Sequence, residues 1–324
     1  MKYVGLFICL FLLNACQPEK KTTEEKIRKT SLVILGTVQD AGSPHIACRK
    51  DCCKNLFIHP DKNRMVVSLG VILPASQETY LFEATPNMPA QMKMLNQVAG
   101  FEHPETPNGI FLTHAHIGHY AGLMYLGKEA MNADSVPVFV MPRMHDFLAT
   151  NGPWSQLVNN KNISLYTLEK KECDVFLMPE TSTKKQPSIQ AIAIPVPHRD
   201  EYSETVGYII QGEHKTALFI PDIDKWEKWE IDIKKQLEGV DYAFLDGTFY
   251  DGNELSNRNM KDIPHPFVVE SMELFKNFSP DNKKKIHFIH FNHTNPLLNK
   301  NSPQYKEVIK RGFKVAYVGD VFEL

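Results

Sequence analysis

Runs of apolar residues alternate with polar turns along most of this chain and predict many strands and fewer helices. Strands are predicted over 31–38, 66–73, 79–83, 136–140, 163–168, 174–178, 189–196, 205–211, 216–220, 242–245, 286–291 and 315–318. Apolar positions three or four residues apart predict a helix over 87–98, and a second helix is predicted over 120–130. Because strands outnumber helices, the pattern favours a β-sandwich flanked by helices.

The N-terminal segment departs from this pattern. A positively charged start precedes the apolar stretch 3–13, which is too short to span a bilayer, and Ala15 before Cys16 is typical of a cleavage site. The segment resembles a bacterial lipoprotein signal, so we expect residues 1–15 to be removed and Cys16 to carry a lipid. An ordinary signal peptide or an uncleaved anchor is the alternative.

Residues 16–30 are polar, rich in Lys, Glu and Thr, and lack any hydrophobic period. Such a composition predicts a flexible tether rather than part of the fold. Together with a lipid on Cys16, it predicts a membrane-attached protein of the bacterial cell envelope, on the periplasmic or outer surface.

The composition fits one large domain over residues 31–324. The chain has 324 residues, of which 43% are hydrophobic, and this is enough to bury a sizeable core. The formal net charge is −2, with a pI near 6.7. There is no basic excess to attract a phosphate backbone, so nucleic acid is not an expected partner.

Three histidines within six residues carry the strongest chemical signal. His114, His116 and His119 follow the apolar pair Phe111 and Leu112, which predicts the end of a buried strand. His-x-His at a strand end puts two imidazoles on one side of the chain, and the following turn can bring a third toward them. Imidazole is a preferred ligand for zinc and iron, so the pattern predicts a catalytic metal site.

The run from Leu112 to Leu123 resembles the His-x-His-x-Asp-His signature of the metallo-β-lactamase superfamily, except that Gly118 stands where the family has Asp. His198 after an apolar strand, Asp222 at the end of another and His290 near the C-terminus follow in the family's order. The resemblance implies an α/β protein with the four-layer αββα metallo-β-lactamase fold over residues 31–324.

The resemblance also implies two metal positions. His114, His116 and His198 would hold the first metal, and His119, Asp222 and His290 the second, with Asp222 bridging both. We expect Asp222 and His119 to take part in catalysis as well. A carboxylate such as Asp222, at the end of an apolar strand, is costly to bury unless it is paired or binds a metal. Strand alternation lets only one of His287 and His290 face the site, and the family pattern selects His290.

Gly118 removes one anionic ligand from the second position. We therefore expect this position to bind its metal more weakly, or with water in place of the carboxylate, and Gly118→Asp to restore the missing ligand. Asp246, Asp251 and His265 are candidate substitutes because each lies near an apolar segment. Local turn and capping roles are the alternative for all three.

A second metal-like cluster lies upstream, at Cys48, Cys52 and Cys53. Three thiolates and one imidazole form a closed structural zinc site, and His293 is the expected fourth ligand. A disulfide of Cys48 is the alternative, since an exported protein meets oxidising conditions. The cysteine-rich loop narrows the resemblance to the subgroup that contains coenzyme PQQ synthesis protein B and the phosphonate-pathway cyclic phosphodiesterase.

These features predict an exported, metal-dependent hydrolase in which metal-bound hydroxide attacks an ester or phosphodiester of a small-molecule or peptide substrate. Zinc is expected at the structural site and at the catalytic site, where Fe or Mn are alternatives. Two other functions stay open. One is an iron-dependent oxygenase resembling PQQ synthesis protein B, for which the resemblance implies hydroxylation of a peptide tyrosine. The other is a catalytically degenerate envelope protein that binds a ligand. The oligomeric state is left open.

Overall fold

The computed structural model describes residues 27–102, 104–168, 189–255 and 263–324. In these residues the strands are β1 (Ser31–Gly36), β2 (Ser68–Leu73), β3 (Glu78–Phe82), β4 (Gly109–Phe111), β5 (Val136–Val140), β6 (Ile163–Thr167), β7 (Gln190–Pro195), β8 (Val206–Gln211), β9 (Thr216–Ile220), β10 (Tyr242–Asp246), β11 (Ile286–Ile289), β12 (Lys314–Val315) and β13 (Val321–Glu323). The α-helices are α1 (Met88–Ala99), α2 (Ile117–Tyr120), α3 (Pro142–Thr150), α4 (Trp154–Asn159), α5 (Ile233–Glu238), α6 (Val268–Leu274), α7 (Pro280–Lys284) and α8 (Pro303–Lys310).

The strands form two sheets, with the orders β13-β1-β2-β3-β4-β5-β6 and β12-β11-β10-β9-β8-β7. The predicted strands 66–73 and 79–83 correspond to β2 and β3, which pair antiparallel as a hairpin from Leu69 opposite Phe82 to Leu73 opposite Glu78. From β3 to β6, and from β9 to β12, neighbouring strands run parallel. The carboxyl ends of each parallel set therefore lie along one edge of its sheet, where open α/β sheets bind ligands.

Buried side chains fill the space between the sheets and the outer face of each. Phe82 and Phe111 from the first sheet meet Tyr208 and Phe219 from the second in the central cluster. A second cluster joins the first sheet to α1, α3 and α4, and a third joins the second sheet to α5, α6 and α8. The layers are therefore helix, sheet, sheet and helix, which confirms the predicted αββα fold.

The predicted second helix over 120–130 is wrong in its extent and type. The helical segment begins at Ile117, and after Tyr120 it continues as a 3₁₀-helix over Ala121–Leu126. A Cβ on Gly122 would lie 2.2 Å from the carbonyl oxygen of Thr85, so the chain here is pressed against the residues that follow β3. This close approach replaces the regular helix with a tighter turn.

The predicted signal (1–15), the tether as far as residue 26 and the predicted strand 174–178 lie outside the described residues. Residues 27–30, assigned to the tether, contact the domain: Ile27 packs against the cluster between the first sheet and its helices, Lys29 pairs with Glu323, and Thr30 accepts a hydrogen bond from Leu324. Among the described residues no helix is both long and apolar enough to cross a membrane.

Candidate metal centre

The candidate ligands converge at the carboxyl ends of strands from both sheets. The residues after each strand are Asp40 for β1, Glu83 for β3, His114 and His116 for β4, His198 for β7, Asp222 for β9 and His290 for β11, and Asp246 is the last residue of β10. Each side chain thus leaves its strand where the ladder of backbone hydrogen bonds stops. The centre lies in the seam between the two sheets.

The segment that carries the first two histidines is tied to the second sheet. The fully buried Tyr208 donates a 2.6 Å hydrogen bond from its hydroxyl to the carbonyl of Leu112. The amide of Val206 donates to the carbonyl of Thr113, and the amide of Ala115 to the hydroxyl of Ser203. These bonds hold the His-x-His turn of the first sheet against β8 and the loop before it.

The first group of ligand atoms brings together His114, His116, His198 and Asp222. His114 Nε2 lies 3.4 Å and His116 Nδ1 3.8 Å from Asp222 Oδ2, and His198 Nε2 lies 3.3 Å from Asp222 Oδ1. Ligand atoms bound at about 2.1 Å to one tetrahedral ion are roughly 3.4 Å apart. These separations therefore fit one metal ion between them.

Neighbouring side chains fix the ring orientation of these histidines. His114 Nδ1 shares a 2.8 Å hydrogen bond with the Thr113 hydroxyl, and His198 Nδ1 lies 3.2 Å from Asp224. In both rings Nε2 faces Asp222, and His114 Nε2 also lies 2.8 Å from His116 Nδ1. Such partners select the tautomer and raise the basicity of the ligating nitrogen. His116 is reversed, because its Nε2 lies 3.3 Å from Glu201 and its Nδ1 faces inward.

The second group contains Asp222, Asp246, His265 and His290. Of the candidate substitutes for the missing carboxylate, Asp246 and His265 reach the centre. Asp251 does not, because its carboxylate accepts from the amide of Asn253 in a local turn. This is the local turn role that was the alternative for Asp251.

Asp246 is already satisfied by hydrogen bonds. Its carboxylate accepts from the amide of Ile223, from the amide and hydroxyl of Thr248, and lies 2.8 Å from His265 Nδ1. A carboxylate so fully bonded has little left to offer a cation. We interpret Asp246 as the residue that holds His265 in place, beside Asp222 Oδ1 at 3.2 Å.

His119 reaches Asp222 from the side of the first sheet. Its Nε2 lies 3.9 Å from Asp222 Oδ2, its Nδ1 lies 3.4 Å from Glu83, and its ring stacks on His290. Burial lowers the pKa of His119, but Glu83, and after it Asp40 and Asp222, raise it to about 9. A metal bound at Nε2 would displace this proton.

Glu83 and His290 both adopt left-handed backbone conformations, with φ of +77° and +67°. For residues other than Gly this costs about 1–3 kcal/mol each, and such strain concentrates at functional sites. In His290 the conformation ends β11 and turns the ring into the centre, where Thr248 holds Nδ1 at 2.8 Å. His287 instead packs against Phe244 and Phe322.

The charges around Asp222 favour its ionised form. Burial alone would raise its pKa, but the neighbouring imidazoles of His198, His265 and His290 hold the pKa well below its usual range. Burial, and then His119, hold the pKa of His114 well below its usual value, so this imidazole stays neutral. A carboxylate among imidazoles that lose their protons when a metal binds is the donor set of zinc, iron and manganese sites.

Unpartnered polar atoms test whether the residues fit a metal. Most of the buried side-chain nitrogen and oxygen atoms that lack a hydrogen-bond partner, within the described ranges, belong to this centre. They come from Asp40, Glu83, His119, His198, Asp222 and His290. Such atoms are costly to bury unless something binds them. One or two divalent metal ions would satisfy them, and the residues therefore fit the metal that the motif implies.

The structure overturns the expectation that Gly118 leaves an open ligand position. A Cβ at residue 118 would lie 2.1 Å from Cβ of Asp40 and 2.5 Å from its Cα. Real Cβ atoms do not approach this closely, and backbone atoms cannot give way as a flexible side chain can. Gly118→Asp alone is therefore expected to clash rather than to restore a ligand.

The cysteine-rich loop forms a separate group, in which Cys48, Cys52, Cys53 and His293 converge. The three thiols are free, with Sγ separations of 3.7 Å from Cys48 to Cys52 and 3.9 Å from Cys52 to Cys53. Disulfide sulfurs are about 2.05 Å apart, whereas thiolates on one zinc ion at about 2.3 Å are roughly 3.8 Å apart. The geometry favours shared zinc over the disulfide alternative.

Sequence reasoning missed the residues that orient the ligands. Glu83, Asp224, Thr248 and Glu201 contact His119, His198, His290 and His116 respectively. Glu83 gave a usable signal, because an acidic residue directly after the apolar run of β3 repeats the pattern of Asp222 after β9. The others depend on chain crossings that no local pattern reveals.

Comparisons with known proteins find relatives of this chain and of its fold. The family described as "Beta-lactamase superfamily domain" matches residues 78–291. Coenzyme PQQ synthesis protein B of Methylococcus capsulatus is 24% identical over 309 residues, covering 88% of this chain and 97% of that protein. The protein of that name from Klebsiella pneumoniae is 23% identical over 306 residues, covering 88% and 96%.

Two solved structures resemble this fold over nearly its whole length. Zn²⁺-bound PqqB from Methylobacterium extorquens has a TM-score of 0.67 at 20% identity, covering 91% of this chain and 100% of that one. A diphosphatase of the PhnP family has a TM-score of 0.58 at 19% identity, covering 92% and 98%. With the family match over most of the domain, the αββα layers and the histidine-rich centre, the chain belongs to the metallo-β-lactamase superfamily.

Proposed function

We propose that this protein is a metal-dependent hydrolase of esters or phosphodiesters. The observation that carries the proposal is the pair of ligand groups that share Asp222, one with His114, His116 and His198, the other with His290. A bound zinc or manganese ion would supply a water of lowered pKa and a Lewis acid for the developing negative charge. The chain's own residues supply the remaining functions.

The ligand-orienting residues keep the centre preorganised. Asp224, Thr248 and Glu83 hold His198, His290 and His119 from outside, so the ligating nitrogens need not reorganise during the reaction. His265 is held by Asp246 and is 12% exposed in its side chain. Burial lowers its pKa, but Asp246 and Asp222 raise the pKa well above its usual value. We assign His265 the role of holding a proton for the leaving oxygen.

A substrate would approach the first ligand group past His116, because its side chain is 14% exposed whereas those of His114 and His198 are 1% exposed. Ile117, next to His116, and Tyr202, next to the Glu201 that contacts His116, are 67% and 63% exposed. Large exposed apolar side chains beside a polar centre are typical of a binding surface. This supports a small-molecule or peptide substrate with an apolar portion near the scissile bond.

Purified protein, stripped with a chelator and reloaded with zinc or manganese, tests this function against a panel of esters and phosphodiesters. We expect hydrolysis that depends on metal and is lost in His116→Ala. His265→Gln should retain its metal but lower kcat by about 10²–10⁴-fold. Asp281→Asn, which changes an exposed carboxylate far from the centre, is the control. A fully loaded protein that hydrolyses nothing in the panel contradicts the proposal.

An iron-dependent oxygenase is the second candidate. It is supported by the likeness to PQQ synthesis protein B across nearly the whole chain, and by the imidazoles beside a carboxylate, which also suit iron. Anaerobic loading with Fe²⁺ distinguishes the oxygenase from the hydrolase. The oxygenase candidate requires that the loaded protein consume oxygen, and it predicts no hydrolysis of esters or phosphodiesters.

A further inference from the structure

The loop after β1 enters the metal centre beside Gly118. Val38 forms bridges to Val66 and to Phe291, and the amide of Gln39 donates to the carbonyl of Phe291, directly after His290. Asp40 is therefore held next to the end of β11. Its backbone and Cβ fill the space that any side chain at residue 118 would need.

The carboxylate of Asp40 lies beside the imidazoles of the metal centre. Its Oδ1 is buried and has no hydrogen-bond partner. It lies close enough to both imidazoles of the second position, His119 and His290, to interact with them electrostatically. A buried, unpartnered carboxylate oxygen beside two imidazoles is unfavourable unless a cation binds it.

We propose that Asp40 supplies, from the loop after β1, the carboxylate ligand that residue 118 lacks, and that it completes the second metal position with His119, Asp222 and His290. Gly118 and Asp40 then belong together: the carboxylate ligand comes from the loop after β1 rather than from the helix after His116. Residue 118 must be Gly because a larger side chain would collide with Asp40. This inference rests on the metal centre of the proposed function.

The remaining distances are compatible with this assignment. His119 Nε2 and His290 Nε2 lie 3.9 Å and 4.0 Å from Asp222 Oδ2, and each is buried without a hydrogen-bond partner. Both rings are held through Nδ1, by Glu83 and Thr248. Two imidazoles, the shared Asp222 and one further carboxylate make a four-ligand set, which zinc or manganese accepts.

Metal titration of the stripped protein, followed by calorimetry and by metal analysis, tests the assignment without relying on activity. Asp40→Asn preserves shape and removes the charge. We expect it to weaken the second metal of the centre at least about tenfold, while the first metal and the zinc of the cysteine-rich loop remain. Asp281→Asn is the matched control and should bind metal as the parent does.

Exchanging aspartate and glycine between positions 40 and 118 gives a second, independent test. Gly118→Asp alone should lower thermal stability because of the clash with Asp40. Asp40→Gly combined with Gly118→Asp should recover both folding and the second metal. If the parent binds two metals at the centre and Asp40→Asn binds both equally tightly, Asp40 is not a ligand, although the proposed function stands. If the parent binds no second metal there, this assignment fails, and if it binds none, both proposals fail.

Discussion

Ring orientation at single histidines decides which nitrogens face the centre. His114, His198 and His290 are each held through Nδ1 by a neighbour, and Nε2 is left for the metal. The tautomer is thus set before any metal arrives, which lowers the cost of binding. His287, only three residues before His290, has no such role and is buried among aromatic rings.

His287 should make the protein's stability depend on pH. Burial, and then Lys314, lower the pKa of His287 to about 4, while an unfolded histidine titrates near 6.5. As pH falls below 6.5 the unfolded state takes up the proton first, so stability is lost between pH 6.5 and 4. The loss is about 3 kcal/mol. The contribution of His287 to stability is fully retained above pH 6.5.

Urea unfolding of the parent and of His287→Leu, at pH 7 and at pH 4.5, measures this contribution. Since Nδ1 of His287 is buried without a hydrogen-bond partner, the apolar side chain should be tolerated at pH 7. The variant should lose less stability on acidification than the parent does. Parallel losses in the two proteins would rule out His287 as the titrating group.

Strand ends position the candidate site at the scale of elements. The sequence predicts most strands to within a few residues, because apolar runs and turn residues are local signals, and β5 and β9 match the prediction in both bounds. Ligands that end such strands, His198 and Asp222, were found for the same reason. The short helix after His116 was not predicted, since its form depends on Gly122 packing against the backbone after β3.

Asp40 shows why the rest of the site could not be predicted. Nothing in Gln39-Asp40-Ala41 indicates a metal ligand. The loop after β1 is followed by turns, where an aspartate is common without binding a metal. Its place beside Gly118 depends on β1 lying in the same sheet as β4 and on bridges from Val38 to Val66 and Phe291. In the sequence, glycine at 118 indicated that a carboxylate ligand had been lost. In the structure, Asp40 stands beside Gly118 and is proposed to supply that carboxylate instead.

The cysteine-rich loop is the element whose stability should depend most on metal. Cys52→Ser and His293→Ala should each remove one zinc and lower the melting temperature, because a structural zinc site contributes several kcal/mol of folding free energy. Asp51→Asn, an exposed side chain in the same loop, is the control and should change neither. Unchanged zinc content in both ligand variants would exclude this site.

At the scale of the whole molecule, we propose attachment to a bacterial membrane through a lipid on Cys16. Cys16→Ser should leave the protein unprocessed or released into the soluble fraction, since one lipidated residue before a polar tether is the predicted anchor. Membrane fractionation and the mass of the mature protein measure this. A variant that stays with membranes at the mass of the mature parent would show that Cys16 is not the anchor.

Metal content of the purified protein tests the central claim most directly, namely that the seam between the two sheets holds a catalytic metal centre in addition to the structural zinc. Inductively coupled plasma mass spectrometry should find three metal ions per parent chain, one in the cysteine-rich loop and two in the seam. Cys52→Ser should retain the two metals of the seam, and His116→Ala should retain the zinc of the loop. A single zinc that disappears in Cys52→Ser and persists in His116→Ala would contradict the account.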